Sequence, residues 1–419
     1  MQIPTYLINL KTRIDRREHI LNEFKDKSEF TVRLIEAKQH RLGTIGLWKS
    51  ITHIINDAKV QGYEYILLCE DDHQFTESYD KRKLINAIHL ADQQKAEVLL
   101  GGVSWLSSIF SIKDHLCWIE AFNGAQFMIL FNRSFERMLN ATFSENNCAD
   151  IKISELFDRK FLIFPFISVQ KGFGYSDVTP KNADLHFLSQ LFVDADHSIQ
   201  YMLEGERFYN SSIQGKKGLV SDYDYDDVSI PTFVRQTDLK DNNTKGVFGE
   251  KSEFDIQLLE SRQINDTLHT ELEYLRKVVQ LSIKQDCEVI FYCSSLSRLS
   301  REYRKKEFLK GIISAYLMGA SLIYTSHEGS FNHAVPISDS LLWIDKYSSI
   351  CGIIIFKRMF DSILSQPAEH DESLQDFISR LSSNKLIMAS PLFEPQGNSL
   401  TSSRLNVIVR NFLLTSESN

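Results

Sequence analysis

The chain has 419 residues, 43% of them hydrophobic and 24% charged, with a formal net charge of -8. That length exceeds one ordinary core, so two domains are expected, and the composition is that of a globular protein without low-complexity tracts. The acidic balance argues against a nucleic-acid partner, and no stretch has the apolar length of a membrane span.

The opening, Met1-Gln-Ile-Pro-Thr-Tyr-Leu-Ile-Asn-Leu10, lacks a basic region followed by a long apolar one. It reads as a strand and not as a signal peptide. The cysteines at 69, 117, 148, 287, 293 and 351 show no C-x-x-C spacing. They point to a reducing, cytoplasmic setting without structural zinc or a disulfide framework.

In chain order, the first half alternates strands and helices, an α/β signature. Tyr6 to Leu10 is a strand, and Asp15 to Phe24 is a helix with Ile20, Leu21 and Phe24 at helical spacing. A helix over Gly43 to Ala58 precedes a strand over Tyr65 to Cys69. Lys81 to Gln94 is a helix, Glu97 to Leu100 and Ala125 to Phe131 are strands, and Ser134 to Leu139 is a short helix. Phe161 to Ser168 is an apolar strand interrupted by Pro165.

After about residue 200 the texture changes. Residues 208–253 are polar, with the acidic run Asp222-Tyr-Asp-Tyr-Asp-Asp227 and the loop-like Asp241-Asn-Asn-Thr-Lys-Gly246, a linker composition. Phe254 to Lys284 reads as one long helix with a leucine-rich stripe, able to pack on a domain or to pair with a second chain as a homodimer. A second α/β unit follows, with strands over Glu288–Cys293, Ser321–Thr325, Ile350–Phe356 and Leu386–Ala389, a helix over Arg301–Met318, and a parallel sheet expected. Its Ser294-Ser-Leu-Ser-Arg-Leu-Ser-Arg301 and His327-Glu328-Gly329 are polar clusters at strand ends. The first resembles the turn after the N-terminal strand too loosely to make a repeat. The expected division is 1–207, a linker over 208–253, and 254–419.

The informative stretch is Tyr65-Ile-Leu-Leu-Cys-Glu-Asp-Asp-His73, an apolar strand ending in three consecutive acids. Open α/β sheets bind ligands at the carboxyl ends of their strands. Adjacent carboxylates there repel one another and are costly to desolvate, which a divalent cation compensates. Hard oxygen ligands without a Cys/His cluster suit Mg²⁺ or Mn²⁺.

Four segments, in order, resemble glycosyltransferase family 25, the group of lipooligosaccharide and collagen galactosyltransferases. They are Pro4-Thr-Tyr-Leu-Ile-Asn-Leu-Lys-Thr-Arg-Ile-Asp-Arg-Arg17, Leu42-Gly-Thr-Ile-Gly-Leu-Trp-Lys-Ser50, Leu67-Leu-Cys-Glu-Asp-Asp72, and Phe164-Pro-Phe-Ile-Ser-Val-Gln170 with Ser176-Asp177. The resemblance covers the first half only. It implies a GT-A-like nucleotide-diphospho-sugar domain that moves a galactose-like hexose from a UDP-sugar to a glycan acceptor with inversion. Cell-surface polysaccharide or lipopolysaccharide synthesis, with peripheral membrane association, is the setting it suggests.

On that resemblance Glu70 and Asp72 hold Mn²⁺ (or Mg²⁺), and a late histidine completes the set, with His186 preferred over His197. Asp71, on the other side of an extended backbone, contacts ribose, donor sugar or the ligands themselves. Asn9 is assigned to the base or ribose, and Arg13 or Arg16 to the diphosphate. Asp150 falls where the general base is expected, with Glu145 and Asp177 as competitors. Trp105 and Trp118 are candidates for stacking on a sugar. The family's Ser-His is Ser50-Ile51 here, with His53 displaced. A nucleotide-sugar or glycan-binding module without catalysis is the alternative.

Overall fold

The computed structural model describes residues 2–175, 184–213, 220, 224–236, 247–249, 251–260, 268–294, 298–370, 372–395 and 399–416. Ser176-Asp177, the loop 241–246, and parts of the acidic run and of the Ser294–Arg301 cluster lie outside them. The chain divides into two compact units, Met1–Leu203 with Asn411–Asn419, and Glu204–Arg410.

In unit 1 the strands are β1 (Ile3–Asn9), β2 (Phe30–Glu36), β3 (Tyr65–Glu70), β4 (His73–Phe75), β5 (Val98–Leu100) and β6 (Trp105–Leu106). They continue with β7 (Ile109–Lys113), β8 (Leu116–Ile119), β9 (Phe122–Asn123), β10 (Phe127–Phe131), β11 (Lys160–Ile163) and β12 (Ser168–Gln170). The helices are α1 (Ile14–Phe24), α2 (Gly43–Val60), α3 (Lys81–Gln93), α4 (Asn132–Leu139), α5 (Ala149–Leu156) and α6 (Leu185–Ile213), the last continuing into unit 2.

Eight of the strands form one mixed sheet in the order β2-β1-β3-β10-β5-β11-β8-β7. Ile66, Leu67, Leu68 and Cys69 of β3 are buried, as a near-continuous apolar run must be when both sheet faces are covered. Because β1 runs parallel to β3, with Ile8 opposite Glu70, the turn after β1 and the acids after β3 share one sheet edge. The expected strand over 161–168 is two strands: β11 belongs to the main sheet, while β12 pairs with β4. The cis Phe164-Pro165 bond lies between them, and Pro165 has no N–H to continue a ladder.

Unit 2 contains β13 (Ile230–Gln236), β14 (Phe254–Glu260), β15 (Val289–Cys293), β16 (Leu322–Tyr324), β17 (Ala334–Pro336), β18 (Leu341–Ile344), β19 (Gly352–Phe356) and β20 (Lys385–Met388). Three expectations fail here. The polar stretch 208–253 is not a structureless linker: α6 runs to Ile213, and β13 is an interior strand paired on both sides. The long helix over 254–284 does not exist as such, because Phe254–Glu260 is β14 and only Leu268–Lys284 is helical. Pairing with β13 overrides the helical spacing of the leucines, and the surface assigned to a homodimer through one continuous helix is lost with it. The sheet is mixed and not parallel, since β19 runs antiparallel between β15 and β16.

The order β14-β13-β15-β19-β16-β20-β18-β17 reproduces that of unit 1 position by position, with the same parallel and antiparallel pairings. Internal bonds repeat as well. Trp118 Nε1 donates to the Asp158 carbonyl at 2.9 Å and Trp343 Nε1 to that of Ser383 at 2.8 Å. Lys160 Nζ donates to the carbonyls of Ser154 and Phe157, and Lys385 Nζ to those of Ser379 and Ser382. Tyr79 donates to Glu29, and Tyr303 to Glu253. The first strands open alike, Ile3-Pro-Thr5 and Ile230-Pro-Thr232, with each threonine hydroxyl bonded to the isoleucine carbonyl. The two halves are therefore a structural repeat, against the expectation from sequence.

In unit 2, His327 is buried, with Nε2 donating to the Met388 carbonyl at 2.8 Å and Nδ1 accepting from Ser402 Oγ at 2.9 Å. The neutral ring satisfies both bonds, and burial pushes its pKa down to about 4. A base with a lowered folded pKa gives stability that is whole above about 6.5 and is lost as pH falls from there toward 4. Unfolding of unit 2 followed in urea should therefore show about 3 kcal/mol of loss over that window, largely absent in His327→Gln. An equal loss in the variant would assign the effect to other groups.

Candidate active site

The site is assembled where β1 and β3 end. Asn9, the last residue of β1, is buried and donates from Nδ2 to Asp71 Oδ2 at 2.8 Å and to the Arg13 carbonyl at 3.2 Å. Arg16, in the first turns of α1, is buried and its Nη1 donates to Asp71 Oδ1 at 3.1 Å and to Asp72 Oδ2 at 3.2 Å. Arg13 Nη1 lies 3.9 Å from Asp71 Oδ1. Both oxygens of Asp71 are thus engaged by the protein.

Asp72 differs. Its Oδ1 is buried with no hydrogen-bond partner, and burial pushes its pKa up to about 6, with Asp71 adding and Arg16 opposing. Glu70 is held well above the usual carboxylate range by burial and by the charges of Asp72, Asp150 and Asp71. The guanidiniums of Arg16 and Arg13 do not bring Asp72 back to the usual carboxylate range.

A lid of aromatic residues lies over Arg16. Its guanidinium carbon is 4.8 Å from the ring centroids of both Phe173 and Tyr175, and Nη2 donates to the Tyr175 carbonyl at 2.9 Å. The segment is anchored by Lys171 N to the Asp72 carbonyl at 2.7 Å and by the Tyr175 hydroxyl to Asp15 at 2.8 Å. The sequence carries no local signal for these aromatic residues, because the bond from Arg16 to the Tyr175 carbonyl spans 159 positions of the chain.

Asp150 stands in the first turn of α5 and accepts from Gly124 N at 3.0 Å through Oδ2. Gly124 has φ of 105°, a conformation that side chains disfavour, and so presents its N–H to this carboxylate. Asp150, Glu70, Asp72, Arg16 and Phe173 line a cavity of ≈ 350 Å³. A second cavity of ≈ 570 Å³ lies between β1 and α2 and shares Arg13, Leu47, Glu70 and Asp71 with it. Glu70 and Asp71 therefore line both cavities, and Asp72 lines only the first.

Residues 37–41 close the second chamber against α2. A Cβ on Gly46 would meet the Lys38 carbonyl at 2.5 Å, so this glycine allows the loop to approach. Ser50 holds it there, with Oγ accepting from Lys38 N and donating to the Gly46 carbonyl, both at 2.8 Å. Ser50 is thus a buried positioning residue, and Ile51 is core.

Other expected residues fall elsewhere. His186 is exposed at the start of α6, where its backbone N–H donates to Asp184, and it is Phe187, Leu188 and Leu191 of that helix that line the cavity. His197 lines a different surface cavity, beside Asp196. His73 is buried against Phe75 and Phe127 and bonded to Ser168 Oγ at 2.8 Å. Trp118 is a core residue, Trp105 is exposed, and Glu145 pairs with Arg41 at 2.7 Å. Among the described residues no three His, Cys, Asp or Glu side chains are grouped as a metal set.

The donors nevertheless suit a hard divalent cation. Asp72 Oδ1 lacks a partner, and Glu70 and Asp72 resist ionising together. Mg²⁺-type ions are commonly held by one or two carboxylates, with water and substrate phosphates completing the shell.

No family model and no curated protein matches the sequence. Among solved structures, UDP-glucose pyrophosphorylase complexed with UDP-glucose is 11% identical, covers 48% of this chain and 81% of its own, and has a TM-score of 0.28. Mannose-1-phosphate geranyltransferase from Thermus thermophilus is 8% identical, covers 68% of this chain and 99% of its own, with a TM-score of 0.27. Likeness at that level does not specify an activity. Among the described residues, no helix is long and apolar enough to cross a membrane.

Proposed function

We propose that unit 1 is a GT-A-like, cation-assisted glycosyltransferase that moves a hexose from a UDP-sugar to a glycan acceptor with inversion. What supports the reading most is the buried acid cluster where two cavities meet, with a partnerless Asp72 oxygen and Asp150 lining the same cavity. The family 25 resemblance of Pro4–Arg17 and Leu67–Asp72 falls on the two strand ends that meet there.

Glu70 and Asp72 would hold Mn²⁺ or Mg²⁺, which supplies positive charge for a departing diphosphate. Asn9 and Arg16 fix Asp71 in one orientation, leaving it to receive donor hydroxyls and not the cation. The chamber beside residues 37–41 is the nucleoside side, and that beside Asp150 and Phe187 is the acceptor side. Asp150, held by the Gly124 N–H, takes the acceptor hydroxyl proton as the new glycosidic bond forms.

A test of that last role is Asp150→Asn, which should lower kcat by about 100- to 10,000-fold with UDP affinity kept within a few fold. Turnover within threefold of the parent would remove the base from Asp150. The second reading, a binding module without transfer, is favoured by the finding that His186 does not join Glu70 and Asp72 in lining the cavity. It would be upheld by Mn²⁺-dependent UDP binding alongside UDP-sugar that is neither transferred nor hydrolysed.

A further inference from the structure

The shared sheet order lets each feature of the unit-1 site be located in unit 2. Thr5 pairs with Leu67 and Thr232 with Phe291, so Cys69 corresponds to Cys293. Where Cys69 is followed by Glu70-Asp71-Asp72, Cys293 is followed by Ser294-Ser295-Leu296. No carboxylate remains at the three positions. Counting from Lys160 and Lys385, which make the same bonds, the counterpart of Asp150 is Gln375.

The second chamber is changed too, by substitution with bulk. Ile8 and Asn9 of β1 correspond to Arg235 and Gln236 of β13. Counting back from β3 and β15, Leu47 and Ser50 correspond to Glu271 and Tyr274. Arg235 is buried, its Nη1 is 3.6 Å from Glu271 Oε1, and its guanidinium carbon is 5.1 Å from the Tyr274 ring centroid. The buried Tyr292 stands where unit 1 has Leu68. An ion pair and two tyrosines thus stand at the positions of Ile8, Leu47, Ser50 and Leu68, of which Ile8 and Leu47 line the open cavity of unit 1. At the strand edge, Glu328 accepts from the Cys351 thiol at 2.8 Å.

We infer that unit 2 is a second copy of the unit-1 fold that has given up binding a cation and a nucleoside diphosphate, so the chain carries one donor site. The inference rests on the donor-site reading of unit 1 for its count, but not for the state of unit 2. Loss at two separate places, the acids and the nucleoside chamber, argues against a site that merely changed its metal. Unit 2 keeps the sheet and the tryptophan and lysine bonds that hold the fold together, and changes the residues that would touch a donor.

Hydrogen exchange of the full chain, measured with and without UDP and Mn²⁺, separates the possibilities. At least threefold slower exchange is expected within 37–47 and 70–72, with 233–236 and 271–275 unchanged, and calorimetry should give one UDP per chain. Slowing at 233–236 or 271–275, or two UDP per chain, would overturn the inference. In Asp72→Asn, UDP binding that persists and protects unit 2 would do the same. Exchange unchanged in both halves would instead overturn the donor-site reading of unit 1, while leaving unit 2 without a nucleotide site as inferred.

Discussion

Asp72→Asn is expected to lower Mn²⁺-dependent transfer by about 100- to 1,000-fold. A Lewis-acid cation supplies several kcal/mol of charge stabilisation, and each 1.36 kcal/mol is a factor of ten in rate. The substitution keeps size and shape and removes one charge. Its effect on stability separates the site from the fold. Burial pushes the Asp72 carboxyl up to about 6, so ionisation is disfavoured in the folded, metal-free protein. Its stability contribution is therefore present at low pH and lost as pH rises from about 4 through 6. At pH 7.5 the asparagine variant should consequently melt no lower than the parent in the presence of a chelator. Turnover that does not change, followed as UDP release, would take Asp72 off the cation, and a lower melting temperature would contradict the electrostatic account.

Arg16→Met should act on the fold itself. Arg16 is the buried partner of both Asp71 and Asp72, and removing one member of a buried pair costs about 3–5 kcal/mol. For a unit of this size that is a fall in melting temperature of about 10 °C. The cause is the stranded carboxylates more than the lost contact with Phe173 and Tyr175. Asp71→Asn in the same chain should therefore recover a good part of the loss. Failure of the double variant to recover, with the single variant destabilised, would shift the role of Arg16 to packing against the two rings.

Much of the first half was legible because its signals are local. An apolar run ending in acids identifies a buried strand and the sheet edge where it stops, and the parallel pairing of β1 with β3 then brings Asn9 and Arg16 to Asp71. His186 was not legible, because a distance in sequence from Gln170 says nothing of which residues of α6 reach the cavity. The repeat was hidden for a different reason. Ile230-Pro-Thr232 repeats the chain's opening, yet it lies in polar sequence that reads as linker. Strand β14 was masked by leucines whose spacing also suits a helix, and only pairing with β13 decides between them. The paired bonds of Trp118 and Trp343 recur only through chain positions that the fold brings together.

The central claim is that Glu70 and Asp72 together hold the cation on which the donor diphosphate rests. Crystals grown with UDP and Mn²⁺, measured at the manganese edge, test it without reference to turnover. One anomalous peak bonded to the Glu70 and Asp72 carboxylates, with Asp71 still on Asn9 and Arg16, is the expected result. UDP bound with no peak at those carboxylates, or a manganese held by other side chains, would contradict it.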